Sequence, residues 1–200
     1  TKNIKIENDG NMIFATKGIA NIPSKKLKIE GDKFIYDKIN SELTIFDNVK
    51  YNDKENNIFI ESQRMIYNEI ENTILSKSET FVNLENKYDV VSSDILFNRK
   101  MNKIYSNNFT EVNDKSNNKF VFKKGLIFDK SMEIVYSKNV SITDINLNKY
   151  FFENSKINLK QKEIVGKEIK VDFLDSFFGN ENNDPVLKGK SIVSNTKGTK

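Results

Sequence analysis

Few side chains in this chain can do covalent chemistry. Gly189-Lys190-Ser191 has the ending of a phosphate-binding loop, where backbone N–H groups cradle phosphates and the lysine neutralises them. That loop needs a glycine five residues before Gly189, and Asp184 stands there. Asn180 to Asp184 offers the oxygen donors that suit Ca²⁺, but its spacing departs from an EF-hand loop, and a plain turn accounts for it. His, Cys and Trp are absent. Without imidazole or thiol there is no Ser-His-Asp or Cys-His nucleophile, no structural zinc site and no disulfide. The carboxylates sit in turns beside lysines, and no isolated pair stands out as acid and base. The residues therefore predict a non-enzyme with no cofactor and no metal.

What remains is an apolar load on a polar chain. Fifteen Phe and seven Tyr lie in 200 residues whose mean hydropathy is −0.59. The net charge of +4 comes from 32 basic and 28 acidic residues, finely mixed, and Arg64 and Arg99 are the only arginines. That is a solvated surface, not a groove for nucleic acid. The abundance of Asn, Lys and Ile matches the bias of an AT-rich genome, and Asn also suits turns. The chain begins at Thr1 and holds no leader-like segment and no apolar run near 18 residues. It is expected to be either cytoplasmic or an interior piece of a longer exported protein.

Apolar clusters such as Lys33-Phe34-Ile35-Tyr36, Asn57-Ile58-Phe59-Ile60, Lys119-Phe120-Val121-Phe122 and Lys149-Tyr150-Phe151-Phe152 alternate with turns rich in Asn, Asp and Lys. Their β-branched and aromatic content predicts strand, turn, strand throughout. An internal repeat organises them. Tyr36-Asp37 recurs as Tyr67-Asn68, Phe97-Asn98, Phe128-Asp129 and, more loosely, Leu159-Lys160, at spacings of 31, 30, 31 and 31. Two residues before each stands Phe34, Met65, Ile95, Leu126 or Ile157, and equal parity on a strand means one face. A second step, Asp47-Asn48-Val49, recurs as Asn107-Asn108-Phe109 and Lys138-Asn139-Val140. Four residues earlier lie Ile45, Tyr105 and Tyr136, with Val165 in the looser last copy; Lys77 breaks the column.

A repeat of this size cannot bury its apolar face alone, whereas stacked neighbours can. One strand per repeat in each of two facing antiparallel sheets, at about 4.8 Å per layer, gives a groove of roughly 25–30 Å. Phe34, Tyr36, Met65, Tyr67, Ile95, Phe97, Leu126, Phe128, Ile157 and Leu159 are the expected lining, with Ile45, Tyr105 and Tyr136 opposite. Ile35, Ile66, Leu96 and Ile127 make the other face of the first strand apolar too. Periodicity leaves a filled β-core and a groove for acyl chains both open. Residues 1–172 form the expected repeat domain, and 173–200 a connector with a last strand at Val186–Ser191.

Phe34-Ile35-Tyr36-Asp37 followed by Leu43-Thr44-Ile45-Phe46-Asp47-Asn48-Val49, with Ile13-Phe14-Ala15-Thr16-Lys17-Gly18-Ile19 before it, resembles the OstA-type repeat of lipopolysaccharide-transport proteins. Phe177-Phe178-Gly179-Asn180-Glu181-Asn182-Asn183-Asp184-Pro185-Val186-Leu187-Lys188-Gly189 resembles the segment joining periplasmic domain to barrel in the LptD family of outer-membrane lipopolysaccharide-assembly proteins. Val186 stands where that family commonly has Arg, and Asp47, Asn107 and Lys138 stand where its repeat has Gly. The resemblance implies a periplasmic β-jelly roll with a V-shaped apolar groove. It would take lipopolysaccharide from a bridge protein of the same fold by edge-strand pairing and pass it to its own barrel and a plug lipoprotein, without catalysis. A soluble bridge protein of this fold and a structural β-solenoid with a dry core are the alternatives. The family carries its cysteines outside this stretch, which accords with their absence here.

Overall fold

The computed structural model describes residues 1–173, 186–195 and 198–199. The chain is all-β, as its clusters and turns predict, with antiparallel pairing throughout and a single 3-10 turn at Pro23–Lys25 among these residues. It divides into two compact units, Thr1–Asn102 and Lys103–Lys200.

Unit 1 is a meander of seven strands, each hydrogen-bonded to the next: β1 (Asn3–Glu7), β2 (Met12–Ile22), β3 (Leu27–Asp37), β4 (Glu42–Asp53), β5 (Ile58–Asn68), β6 (Thr73–Leu84) and β7 (Tyr88–Asn98). The turns explain the polar residue of the repeat. Asp37 Oδ1 accepts the N–H of Ile39 at 3.0 Å and of Asn40 at 3.1 Å. Asn68 caps Glu71 and Asn98 caps Met101 in the same way, at 2.8 and 2.9 Å. Asn72 and Asn102 enter the left-handed region just afterwards, where Asn is tolerated far better than most residues.

Long strands in this unit are not straight. Pairing shifts register at Glu30/Lys33, Phe46/Val49, Ser62/Met65 and Lys77/Thr80, and Asp47 and Asn48 both have positive φ. Bulges of this kind bend a strand and raise its twist. The inward face changes parity there: β3 buries Leu27 and Ile29 before the bulge and Phe34 after it. The bend is tight enough to demand small residues. A Cβ added at Gly31 would run into Ile45 Cγ2. Ser62 and Ser92 hold the equivalent places on later strands, both buried. Ser62 Oγ donates to the Arg64 carbonyl at 3.2 Å and Ser92 Oγ to that of Asp94 at 3.1 Å. The hydroxyls thus occupy backbone acceptors that the broken ladder releases.

Unit 2 repeats the scheme with more interruptions. Its strands are β8 (Lys103–Ser106), β9 (Thr110–Asp114), β10 (Lys119–Phe122), β11 (Leu126–Asp129), β12 (Ile134–Thr143), β13 (Lys149–Asn158), β14 (Glu163–Asp172), β15 (Val186–Asn195) and β16 (Gly198–Thr199). β9 pairs with β10 and β8 with β11, so each consecutive pair is one long strand severed at the bend. Ser106, Ser137, Ser155 and Gly166 mark the line here. A Cβ on Gly166 would strike the Phe152 ring. Gly189-Lys190-Ser191 lies inside β15, in ladder with Ile169 and Lys167 of β14, and so forms strand, not phosphate loop. Phe177 to Pro185, including the oxygen-rich Asn180–Asp184 turn, lies outside the described residues.

Gly31→Val is expected to cost about 1–3 kcal/mol, the usual penalty of overpacking, read by urea unfolding. Ser93→Val, one residue from the bend but exposed, is expected to change stability by less than about 0.5 kcal/mol. Equal effects at the two positions would show that the bend does not constrain side-chain size.

Candidate functional site

The inward faces of unit 1 form cross-strand rows. On one side of the bend Phe34, Ile45, Met65, Ser76 and Ile95 are successive partners, and Tyr36, Leu43, Tyr67, Ile74 and Phe97 form the next row. On the other side the row is Ile29, Tyr51, Ile60, Val82 and Val90. None of these three rows contains a charged residue. Ile45, Tyr51, Met65 and Phe97 are 0 % exposed, so the interior is packed at these positions.

The two sides of the bend fold onto each other. Asp53 ends β4, whereas Arg99 follows the opposite end of the sheet, beyond Asn98. In a straight sheet eleven residues at about 3.3 Å each would hold those ends about 36 Å apart. Instead Arg99 Nε donates to Asp53 Oδ2 at 2.7 Å, with the Arg99 side chain 4 % exposed and that of Asp53 fully buried. Arg99 also donates to the Lys25 carbonyl at 3.1 Å, Asn72 Oδ1 at 3.3 Å and Glu55 Oε2 at 3.0 Å. Lys25 Nζ reaches Tyr67 Oη at 2.7 Å and Asn72 Oδ1 at 3.3 Å. Unit 1 is therefore a roll, with a bend on one side and a polar clasp on the other.

Electrostatics fit a shut clasp. Burial pushes Asp53 upward, but hydrogen bonds from Arg99 and Asn56 outweigh it, and the carboxyl lies below its ordinary value. Burial, and then the neighbouring Asp53 charge, push the Tyr51 hydroxyl well above its usual range, so it stays protonated and donates to Asp53 Oδ2 at 3.0 Å.

Most expected lining residues point inward. Phe34, Met65, Tyr67, Ile95 and Phe97 do so in unit 1, and Leu126, Phe128 and Ile157 in unit 2, all buried; Tyr36 is inward but half-buried. Four expectations need correction. Ile45 is not opposite Phe34 but is its direct cross-strand partner. Tyr105 and Tyr136 lie on the outer face, each paired with Ile127, and Tyr136 is 41 % exposed. The reason is a one-residue slip: Asp47-Asn48 puts two residues in the bulge of β4, whereas β12 has Asn139 alone between its flanking pairs. The true successors of Ile45 are thus Ser76, Ser106 and Ser137. Leu159 lies in a turn, where its N–H donates to the Glu133 carbonyl at 2.9 Å. The capping residue there is Asn158, which accepts the Gln161 N–H at 2.9 Å, so Ile157 continues the Tyr36 column.

Sequence reasoning missed three sets. The small-residue column Gly31, Ser62, Ser92, Gly125, Ser155 was visible at spacings of 31, 30, 33 and 30. Asp53, Asn83, Asp114 and Asp144, spaced 30, 31 and 30, cap the turns at the other strand ends, with Glu55, Asn86, Ser116 and Asn146 donating their N–H groups. The clasp was signalled only by the rarity of arginine. No protein-family model matches the chain, and no curated protein matches its sequence.

Arg99→Met is expected to destabilise by about 3–5 kcal/mol, because it leaves the Asp53 charge buried without its partner. Adding Asp53→Asn should recover roughly half of that, because the amide oxygen still caps the turn. The contribution of Asp53 is fully present above the unfolded carboxyl pKa near 4 and is lost as pH falls through the lower folded value. Urea midpoints of wild type and Asp53→Asn should therefore differ at pH 7 and converge in strong acid. Curves parallel at every pH would remove the ion pair from the clasp.

Proposed function

We propose that this chain carries the acyl chains of lipopolysaccharide inside its roll, as a periplasmic jelly roll of OstA type at the outer membrane. The observation that supports this most is the interior itself: three uncharged rows on the two sides of the bend, closed by polar groups that can rehydrate when they part. A roll closed by apolar packing would resist opening in water, whereas a hydrogen-bonded seam exchanges its partners for water at modest net free energy. Acyl chains suit such rows because they need burial and no hydrogen bonds. The exposed lysines near the mouth, Lys26 and Lys54 among them, can meet phosphates with their heads while their stems lie on apolar surface.

The partners in this proposal are lipopolysaccharide, a periplasmic bridge protein of the same fold, a plug lipoprotein and a barrel continuing the chain. β1 pairs with β2 along one edge, and its other edge pairs with no described strand, which is the geometry a bridge strand needs for β-augmentation. A structural roll with a dry core is the second reading. It is favoured by the complete burial of Ile45, Tyr51, Met65 and Phe97.

A photo-crosslinking residue at Phe97 or Phe128 should capture lipopolysaccharide in envelope preparations, and one at the outward Ile127 should not. Capture at Phe97 should rise in the Asp53→Asn background, whose clasp lacks its ion pair. Absence of capture at both inner positions, or equal capture at Ile127, would establish the dry roll instead.

A further inference from the structure

A second kind of concavity lies outside the roll, where the strands bend. Two such depressions are nearly equal in size, about 380 Å³ in unit 1 and about 400 Å³ in unit 2. Their chemistry differs. The first has Lys50, Glu61 and Glu79 in its lining, and Lys50 Nζ meets Glu61 Oε1 at 3.3 Å, so its one cation is neutralised and Glu79 leaves it net negative. The second is lined by Lys124, Lys138, Asn107, Asn154, Tyr136 and Ile127 on a serine-rich floor, with no carboxylate in the lining. Both lysines are exposed, and neither is ion-paired among the described residues. Tyr136 and Ile127 are 41 % and 43 % exposed.

Each feature selects part of a ligand. Two ammonium groups without a counter-charge favour an oxyanion, and lysine is a point-charge binder of phosphate. An exposed tyrosine ring beside an isoleucine offers a flat apolar platform. Two carboxamides supply donors and acceptors together, which is what ring hydroxyls require. Ser137 Oγ and Ser155 Oγ are 2.8 Å apart and bond each other, which leaves the rim, not the floor, to make the contacts. We propose that the unit 2 depression binds a phosphorylated sugar, with phosphate between Lys124 and Lys138, the ring over Tyr136 and hydroxyls on Asn107 and Asn154. The site stands on this depression alone, on the outside of the strands, and does not depend on what the interior carries.

The test is a ¹H–¹⁵N titration of the full 200-residue chain with glucosamine 6-phosphate, inorganic phosphate and glucosamine as separate probes. Saturable shifts are expected at the amides of residues 136–138 and 154–155 with the phosphosugar, and binding about tenfold or more weaker for either half alone. The Lys124→Gln/Lys138→Gln double variant should abolish the shifts. Tyr136→Ala should weaken the phosphosugar and leave inorganic phosphate unchanged. Sedimentation with phosphatidylcholine vesicles, with and without a phosphorylated glycolipid, separates the two sources. Pelleting with the glycolipid vesicles alone assigns a lipid headgroup, and soluble binding without pelleting assigns a free phosphosugar. The proposal is overturned by the absence of saturable shifts, by shifts that survive the double variant, or by inorganic phosphate binding as tightly as the phosphosugar.

Discussion

Everything in unit 1 depends on one steric constraint: each long strand must turn back on itself where a full side chain does not fit. Eleven or twelve residues of extended backbone would make a flat, two-sided ribbon. The bulges divide each strand, and Gly31, Ser62 and Ser92 let the neighbouring side chain enter the bend. Once the strand is folded, the two inward faces meet and bury each other. The serine hydroxyls also take the carbonyl groups that the interrupted ladder leaves without partners. Size and hydrogen bonding thus select the same residue type at the same place.

The bend makes the clasp possible, and the two closures are unlike. At the bend the sheet is continuous and its contacts are apolar and small. At the seam the contacts are ionic and hydrogen-bonded, centred on a guanidinium that reaches Asp53, Asn72, Glu55 and a carbonyl at once. A buried ion pair is poor evidence of stability, since packed apolar groups often serve as well. Its use here is geometric. The fork of Arg99 fixes which turn meets which, and so sets the register of one half of the roll against the other.

Much of this was legible in the sequence. The columns at Tyr36, Tyr67, Phe97 and Phe128 were found because an apolar residue before a capping Asp or Asn is a strong local signal. That cap works within four residues and needs no tertiary partner. The columns around Ile45 were misread because bulges differ in length from strand to strand. A one-residue slip exchanges inside for outside, which is how Tyr105 and Tyr136 came to be placed in the interior. Matching Ile45 to Ser76 and Ser106 required knowing that the column narrows along the chain, from an isoleucine to serines and then to Gly166. The clasp was illegible for a different reason. Arg99 and Lys25 reach partners 27 to 74 residues away, and no period links them.

The outer face shows why a repeat with two apolar columns still has one inside. Phe14, Ile35, Thr44, Ile66, Leu75 and Leu96 form a cross-strand row on the outside of unit 1, nearly as apolar as the rows within, and all are half-buried by one another. Composition therefore does not choose the interior; the bend does, because only one face is concave enough to close. On the proposed reading the same geometry sets the energetics of loading. Parting the seam costs about 3–5 kcal/mol if the ion pair is broken and left dry, and less as water enters. A buried acyl chain of twelve methylenes gains roughly 10 kcal/mol at about 0.8 each. The difference is large enough to open a hydrogen-bonded seam, whereas the bend opposite it is continuous sheet with no seam to part. A chain that enters at the clasp therefore leaves the bend intact, and the roll can close again on the same register when its cargo moves on.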